Sequence, residues 1–450
     1  MFDAIYNFMM VVANWFWGMP VLVILIGGGL YLTVCTDFVQ FKHFGTAMKL
    51  TIGKSFGKNK EAKGEGISGF QSVCAALSGT IGTGNIVGVG TAISLGGPGA
   101  LLWMEITGLV AMCIKSVEAM TSVKYRMTLP NGGYHGGPYY MIRDGLGSKP
   151  LAWLYNIGLI PSLVIAAGVH TGSTVSAAEQ MGLPGMPVFI CAVIVVALVC
   201  WGGVTMLVNI TDKLVPFMSL LYIAGGTVVI LLNIGNLPGV IVSIFTTAFT
   251  GTAAVGGFAG ATVSACMRYG LARGMYSNDA GNGIAGIIHA QSNAKDPVEQ
   301  GMWGVFEVFM DTTIVCTFTG LVILCTGHWQ TGEPGSTLAI NSFAAGLGPI
   351  GLYIAGISLM LFAMSTAMSF STFVGLQIEN QTGSRLARRV IEVLYICTMY
   401  AGAYMGIDKI LSTTDFTNAI LMMVNMPALC ILGRSIGKDY KAYFAKVEKK

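Results

Sequence analysis

Apolar residues are grouped in runs long enough to cross a bilayer, and short polar segments separate these runs. A transmembrane helix needs ~20 predominantly apolar residues. Eleven such runs lie at about 9–35, 67–93, 98–126, 151–177, 186–205, 214–234, 259–290, 302–326, 346–376, 388–406 and 411–433. The pattern therefore predicts an all-α polytopic membrane protein with about 11 transmembrane helices.

The second run has a polar centre, with the sequence SGTIGTGN at residues 78–85. Glycine is less favourable than alanine in a helix interior by ~1 kcal/mol, and small hydroxyl residues compete for backbone hydrogen bonds. We therefore predict a helix that breaks near the membrane midplane. Non-helical backbone is tolerated there only where it is buried in protein or lines a cavity, and secondary transporters bind substrate and ions at such breaks.

A second break is expected in the seventh run. The polar loop 291–300 marks the cytoplasmic end of this run. Counting back half a bilayer, ~10 residues, leads to residues 276–283, which include Ser277, Asn278 and Gly281. The alternative is the glycine-rich segment 251–260, which would lie too far outside.

Two arginines, Arg268 and Arg273, then lie in the outer half of the seventh run. They could gate an outer vestibule, or they could hold the helix through a carboxylate or carbonyl groups.

Each break would expose peptide groups to a ligand. The half-helix after a break presents free N–H groups to an anion, and the carbonyls before it can bind a cation. The predicted N–H donors are Thr83, Gly84 and Asn85. The predicted oxygen donors are Thr80, Ile81 and Ser78. An amino acid matches this arrangement because it carries both charges.

A third polar cluster occupies residues 365–372 of the ninth run. Hydroxyl groups of Ser365 and Thr366 could complete a shell of oxygen ligands around sodium. Alternatively, they bond to their own helix or to a neighbouring helix.

Charged residues within the runs are costly and mark function by default. Lys115 and Glu118 are three residues apart and are expected to pair. Glu307 and Asp311 share a helix face, so one of them is expected to be protonated or to meet an arginine. A proton-coupled transporter that uses Glu105, Glu307 or Asp311 is the alternative to sodium coupling. His170, in the middle of a run, is expected to be a core histidine with satisfied hydrogen bonds.

Basic residues fall on one side of the predicted spans. Six lysines follow the first run: Lys42, Lys49, Lys54, Lys58, Lys60 and Lys63. Further basic positions lie in alternate loops and in the tail: Lys124, Arg126, Arg143, Lys213, Lys295, Arg385, Arg388, Arg389, Arg434, Lys438, Lys441, Lys446, Lys449 and Lys450. The positive-inside rule makes this side cytoplasmic, with the N-terminus outside and the C-terminus in the cytoplasm.

The spans divide into a single first helix and two sets of five. We expect an extra N-terminal helix with a basic loop (1–66), two five-helix halves (67–234 and 259–433), an external helix and loop between them (235–258), and a basic tail (434–450). Each half begins with an interrupted helix. An odd number of spans in each half gives the halves opposite orientations, as in the inverted repeats of many symporters.

Composition excludes several other classes of protein. Charged residues make up 10% of the chain, against ~25% in soluble domains. The net charge of +4 is too dispersed to indicate a nucleic-acid partner. The ten cysteines lie singly and without metal-ligand spacing. No P-loop or HExxH motif occurs, and neither an ATP-driven pump nor an enzyme is expected. A channel is disfavoured because no charge ring or repeated filter loop is visible, and no cofactor beyond a coupling ion is expected.

Five motifs resemble those of the alanine/glycine:cation symporter family. They are GTIGTGNIVG at 79–88, GGPGALLWM at 96–104, VKYR at 123–126, GGPYYMI at 136–142 and RGMYSNDAG at 273–281. The resemblance extends from about Phe70 to the last run. Leu102 and Glu105 stand where the family usually has aromatic residues, and Tyr139 stands where methionine is usual.

The resemblance implies sodium-coupled uptake of alanine or glycine across the plasma membrane, on the 5+5 inverted-repeat fold of the leucine-transporter type. It implies that the N–H groups of Thr83 and Gly84 hold the substrate carboxylate, and that the Thr80 carbonyl holds the amine. The wider substrate set is Gly82, Asn85, Ser277, Asn278 and Gly281. The implied sodium ligands are the carbonyls of Ser78 and Ile81 and the hydroxyls of Ser365 and Thr366.

Overall fold

The structure is a computed structural model that describes residues 2–17, 19–53, 66–129, 133–404 and 407–447. Six lysines of the predicted cytoplasmic face lie outside the described residues: Lys54, Lys58, Lys60, Lys63, Lys449 and Lys450. Helices dominate the described chain.

The N-terminal helices precede the first predicted break. They are α1 (Phe2–Phe16), α2 (Met19–Leu22, continuing through a π-helical turn at Val23–Gly27 into Gly28–Cys35), α3 (Val39–Lys42) and α4 (Phe44–Met48, followed by a π-helical turn at Lys49–Gly53). A Cβ atom at Gly29 of α2 would collide with the side chains of Val110 and Ile114. The extra helix is therefore packed closely against a helix of the first predicted half.

The first predicted half contains helices and one short hairpin. The elements are α5 (Gly69–Thr80), α6 (Gly84–Gly96, π-helical over Gly84–Gly88), α7 (Ala100–Lys124), β1 (Met127–Thr128), β2 (Tyr134–His135), α8 (Pro138–Tyr140, with a π-helical turn at Met141–Gly145), α9 (Lys149–Gln180) and α10 (Gly185–Leu232). The two strands are antiparallel, with Met127 opposite His135 and Thr128 opposite Tyr134. α5 begins with a capping box, in which Ser68 accepts a hydrogen bond from the Gln71 N–H.

Two predicted spans lie within α10, which is broken at Gly203. This residue has φ 63° and ψ −152°, a conformation that glycine adopts readily because it has no Cβ. The segment 206–213, expected to be a loop, is helical, so Lys213 lies on a helix and the turn comes earlier in the chain.

The remaining elements follow a 3₁₀ turn at Ile234–Asn236. They are α11 (Leu237–Thr250), α12 (Val263–Asn278), α13 (Gly286–His289), α14 (Pro297–Val308, π-helical over Phe309–Cys316, then Thr317–Cys325), a 3₁₀ turn at His328–Thr331, α15 (Gly335–Leu347), α16 (Pro349–Thr382), α17 (Arg385–Tyr404) and α18 (Ile407–Val447). α11 lies in the segment expected to hold an external helix. α15 was not expected, because its 13 residues are too few for a span; it packs through Leu338 and Phe343.

Six helices in the described chain are long and apolar enough to cross a membrane, or seven when α5 and α6 are taken as one span bent by 52°. The expected eleven are not all visible by this criterion. α10 includes two of the predicted spans but counts as one helix, each helix around the second break is short, and α17 begins with charged side chains. The number of spans and the inverted repeat stay predictions.

The helices α9 and α17 approach each other closely where Gly168 faces Gly402, and the two backbones are in contact. Such close crossings through small residues are typical of membrane helices, because they increase van der Waals contact.

We expect Gly402→Ala to destabilise the protein, because the added Cβ would overlap the Gly168 backbone and force α9 and α17 apart. Overpacking of this kind costs ~1–3 kcal/mol. The measurement is the thermal denaturation midpoint of the detergent-purified protein. Gly239→Ala in α11 is the matched control, since its Cβ would have no neighbour within 4 Å. Equal midpoints for the two variants would contradict the proposed crossing.

Candidate functional site

The first break separates α5 from α6 at residues 81–83. Ile81 has φ −70° and ψ 90°, so the chain is extended there. The side-chain Oδ1 of Asn85 accepts a hydrogen bond from the Gly82 N–H at 2.9 Å. The break therefore lies where the glycine and hydroxyl residues predict it, and one of its peptide groups is held by a side chain.

The second break separates α12 from α13. α12 ends at Asn278, and Asp279 follows in the left-handed conformation with φ 52°. Gly281 and Gly283 also have positive φ values, 93° and 77°. The break falls within the predicted segment 276–283 and not in the alternative segment 251–260.

A buried carboxylate on α14 joins the two breaks. Asp311 Oδ1 accepts a hydrogen bond from Asn85 Nδ2 at 2.8 Å, and its Oδ2 accepts one from Ser277 Oγ at 2.9 Å. The backbones also approach closely, since a Cβ at Gly84 would lie 2.8 Å from Ser277 Cα. The two interrupted helices therefore meet at their breaks.

A cavity of about 30 Å³ lies beside these breaks. This exceeds the ~10–15 Å³ that a water molecule requires and is far below the ~300–1,000 Å³ of sites for drug-sized ligands. The cavity therefore suits a ligand of few atoms. Its lining residues come from both breaks and from three further helices: Gly79, Thr80, Gly82, Thr83, Gly84, Tyr276, Asp279, Ile284, Ser162, Ala166, His170, Phe370, Thr414 and Asn418.

Half of the predicted substrate residues line this cavity: Thr80, Gly82, Thr83 and Gly84. The others have different partners. Asn85 and Ser277 bond to Asp311, Asn278 Nδ2 donates to Thr312 Oγ1 at 3.1 Å, and the Gly281 N–H donates to Glu118 Oε1 at 3.0 Å. The structure thus places this second group around the breaks instead of in the cavity wall, and a substrate contact by any of them stays a prediction.

His170 differs from its expected role as a satisfied core histidine. It lines the cavity, and its ring lies edge-on to Phe370 with 5.6 Å between the centroids. Its Nδ1 atom is buried and has no hydrogen-bond partner in the described part of the chain. The sequence signal that could have indicated a place in the cavity was the position of His170 in the middle of an apolar run.

Other residues that line the small cavity could not be identified as site residues from the sequence. Ser162 of α9 donates a hydrogen bond to Asn418 Oδ1 of α18 at 2.6 Å, which joins two walls of the cavity. Tyr276 and Asp279 lie within the RGMYSNDAG motif, but the motif does not indicate which of its side chains face the cavity.

The predicted sodium ligands lie where α5 packs against α16. Thr366 is next to the first break, since a Cβ at Gly82 would lie 2.6 Å from its Oγ1. Thr366 and Ser365 both donate to the Phe362 carbonyl, at 3.0 and 2.8 Å. Ser78 Oγ forms a hydrogen bond with Ser369 Oγ, which belongs to the polar cluster 365–372 but was not among the predicted sodium ligands. These groups offer neutral oxygen atoms, which suit a monovalent cation.

The expected pairing of Lys115 with Glu118 is wrong. Lys115 Nζ lies 3.4 Å from Glu307 Oε1 on the facing helix α14, and Glu307 Oε2 meets His289 Nε2 at 2.9 Å. Glu118 turns instead to the second break, where it also accepts a hydrogen bond from Asn425.

Neither Glu307 nor Asp311 meets an arginine within the described ranges. Asp311 bonds to amide and hydroxyl groups, and Glu307 finds its cation on Lys115. Glu105 accepts a hydrogen bond from Thr317 Oγ1 at 2.8 Å.

A larger cavity of about 290 Å³ shares Tyr276 with the small one. Arg268, Arg273 and Asp415 line it together with Trp17. The Trp17 indole donates a hydrogen bond to the Asp415 carbonyl at 2.8 Å, so the extra N-terminal segment forms part of the wall of this larger cavity. We call this cavity the outer vestibule, after the predicted position of its arginines.

Comparison with known proteins gives concordant results. The family model described as the sodium:alanine symporter family matches residues 2–450. The chain is 37% identical over 439 residues to the uncharacterized transporter YflA of Bacillus subtilis, covering 96% of this chain and 92% of YflA. It is 34% identical over 444 residues to the sodium/alanine symporter AgcS of Methanococcus maripaludis, covering 96% of each protein.

Solved structures show the fold. The crystal structure of MhsT in complex with L-phenylalanine, a transporter of the leucine-transporter fold, matches with a TM-score of 0.54 and 15% identity, covering 84% of this chain and 96% of MhsT. A mutant of the Eremococcus coleocola manganese transporter matches with a TM-score of 0.52 and 13% identity, covering 83% of this chain and 81% of that protein. Because the family match spans the chain and the relatives align over nearly their full lengths, this protein belongs to the sodium:alanine symporter family.

Proposed function

We propose that this protein is a secondary active symporter of the plasma membrane that couples sodium influx to the uptake of alanine or glycine by alternating access. Membership of the family and the transporter fold support transport in general. The substrate and the coupling ion are our proposal, as are the outward N-terminus and the cytoplasmic C-terminus.

The observation that carries this proposal is the meeting of two broken helices beside one small cavity. Thr83 and Gly84 lie at the start of α6 and line that cavity. The first N–H groups of a helix have no partner within it, and they favour an anion such as a carboxylate. Thr80 and Asp279 line the same cavity, and their carbonyl and carboxylate oxygens would favour an ammonium group.

Selectivity for a small side chain follows from the cavity wall. Phe370, Ile284 and His170 line the cavity, and its volume is about 30 Å³. Each additional methylene group changes binding by ~1–3 kcal/mol in a closely fitting pocket. Alanine and glycine would therefore be favoured over larger amino acids.

Sodium would bind between α5 and α16, with the carbonyls of Ser78 and Ile81 and the hydroxyls of Ser365 and Thr366 as ligands. Thr366 already contacts the turn at Gly82. A cation at this position would stabilise the broken arrangement that binds substrate. Thermodynamic linkage then requires that substrate strengthen sodium binding by the same factor.

The outer vestibule offers a gate for alternating access. Arg273 and Asp415 line the same cavity on different helices, and no ion pair joins them in the described structure. Formation of this pair would close the vestibule above Tyr276.

Proton coupling is the second candidate, and the geometry favours Asp311 as the carrier. Glu307 is paired with Lys115 and His289, whereas Asp311 accepts hydrogen bonds from neutral amide and hydroxyl groups. Asp311 also contacts both breaks, so its protonation state would affect the substrate site directly.

Uptake of radiolabelled alanine into proteoliposomes tests the coupling ion. We expect an inward sodium gradient at equal pH to drive accumulation above equilibrium, because the downhill movement of sodium would supply the free energy for alanine that moves with it. Replacement of sodium by potassium should reduce uptake to equilibration. Accumulation that follows a pH gradient and ignores sodium would contradict our proposal and would favour Asp311 as a proton carrier.

Thr366→Val tests the sodium site, since it removes the hydroxyl and keeps the shape of the side chain. We expect the sodium concentration for half-maximal uptake to rise ~10-fold, equivalent to ~1.4 kcal/mol. Thr372→Val is the matched control, because Thr372 bonds to the Met368 carbonyl as Thr366 bonds to that of Phe362. A similar sodium dependence in both variants would rule out Thr366 as a ligand.

Gly84→Ala tests the close contact between the breaks. The added Cβ would lie 2.8 Å from the Ser277 backbone, so the two breaks must separate. We expect alanine uptake to fall by ~10-fold or more, the effect of ~1.4 kcal/mol. Gly88→Ala in the same half-helix is the control, because its Cβ meets no atom within 4 Å. Wild-type uptake by a correctly inserted Gly84→Ala protein would refute the proposed geometry.

A further inference from the structure

Three arginines surround a cavity of about 370 Å³ between the break in α10 and the start of α17. They are Arg385, Arg388 and Arg389. Gly203, at which α10 is broken, forms part of the cavity wall, and Glu379 of α16 forms another part. The cavity is distant in the sequence from both breaks, and none of its lining residues lines the substrate cavity or the outer vestibule.

The carboxylates at this cavity do not balance its positive charge. Arg388 pairs with Glu379 and with Glu392, each at 2.7 Å. Arg389 pairs with Glu392 at 2.7 Å and also donates to the Cys200 carbonyl. Arg385 is exposed and forms no ion pair with any described residue. Three cations therefore face two carboxylates, which leaves one positive charge for an external anion.

Exposed apolar stripes lead away from the cavity on both neighbouring helices. On α10, the stripe consists of Ile194, Leu198 and Trp201, which are 53%, 46% and 72% exposed. On α17, it consists of Leu386, Val390 and Val393, which are 75%, 61% and 61% exposed. Both sets have the spacing of one helix face, and the two helices are in contact. Faces of this kind contact acyl chains in a protein that spans a membrane.

Trp201 places the cavity at the depth of the lipid headgroups. It belongs to the apolar stripe of α10 and also lines the arginine cavity. Tryptophan is enriched at membrane–water interfaces, where one part of its ring system is apolar and another is polar. The cavity therefore lies where a headgroup phosphate would meet the arginines while the acyl chains follow the stripes.

We propose that this cavity binds the phosphate group of an anionic phospholipid. Guanidinium groups match phosphate oxygens in geometry and charge, and basic pockets between transmembrane helices are known sites for anionic headgroups. The apolar stripes favour a lipid over free phosphate. The proposal rests on the membrane placement in our proposed function, and it adds a ligand that would brace the α10 break against the α16–α17 turn.

Native mass spectrometry of the purified full chain tests this site. The probes are phosphatidylglycerol, phosphatidylcholine and inorganic phosphate, each titrated separately. We expect phosphatidylglycerol to bind more tightly than phosphatidylcholine, because the choline cation cancels the phosphate charge. Inorganic phosphate should bind weakly, because it lacks acyl chains.

The variant is the double change Arg385→Gln and Arg389→Gln. We expect it to weaken phosphatidylglycerol binding at least ~5-fold, since both charges would act at the headgroup. Lys441→Gln is the control, because Lys441 is an exposed basic residue outside this cavity and should have no effect. Arg385→Gln alone, which breaks no ion pair of the described chain, replaces the double variant if that protein does not fold.

Three results would overturn the proposal. They are equal phosphatidylglycerol binding by variant and wild type, equal binding of phosphatidylcholine and phosphatidylglycerol, and arginine-dependent binding of inorganic phosphate as tight as that of the lipid. The last result would identify a free-phosphate site. Because the readout is lipid binding, failure of the alanine uptake experiment would not be confused with failure of this one.

Discussion

Peptide groups that leave a helix within a membrane must find partners, because the hydrocarbon region offers none. In this protein side chains of the half-helix after the break and of neighbouring helices supply some of them. Asn85 accepts from the Gly82 N–H, Glu118 accepts from the Gly281 N–H, and Tyr155 donates to the Asn282 carbonyl at 2.7 Å. We propose that the peptide groups of Thr83 and Gly84, which line the small cavity, are left for a ligand, so that the requirement that stabilises the breaks would also define the site.

The surrounding helices therefore act as a frame for two interrupted ones. Asp311 of α14 holds both breaks through Asn85 and Ser277. Asn425 of α18 donates to the Gly281 carbonyl of the second break at 2.9 Å. It also donates at 2.8 Å to Glu118 of α7, which itself accepts from the Gly281 N–H. Because each link joins a break to a different helix, movement of one helix would be transmitted to the site. Such links would connect helix movement to the site in the alternating access that we propose.

Local sequence signals predicted much of this arrangement. Glycines and hydroxyl residues within an apolar run located the first break, because they weaken a helix wherever the fold places it. The second break was located by counting half a bilayer back from the polar loop 291–300. Local signals do not show which faces of different helices pack against each other. The partner of Lys115 is Glu307 on another helix, and the cavity position of His170 depends on how α9 packs. The turn at Gly203 was placed too late because the apolar pattern continues across it, and α15 was missed because it is too short to form a run.

An experimental structure of the full chain with alanine and sodium bound is the most direct measurement. We expect the alanine carboxylate within ~3 Å of the N–H groups of Thr83 and Gly84, a hydrogen-bond distance. We expect sodium between α5 and α16, in contact with the Thr366 hydroxyl. Alanine bound away from both breaks, or an unbroken helix through residues 78–85, would contradict the central claim.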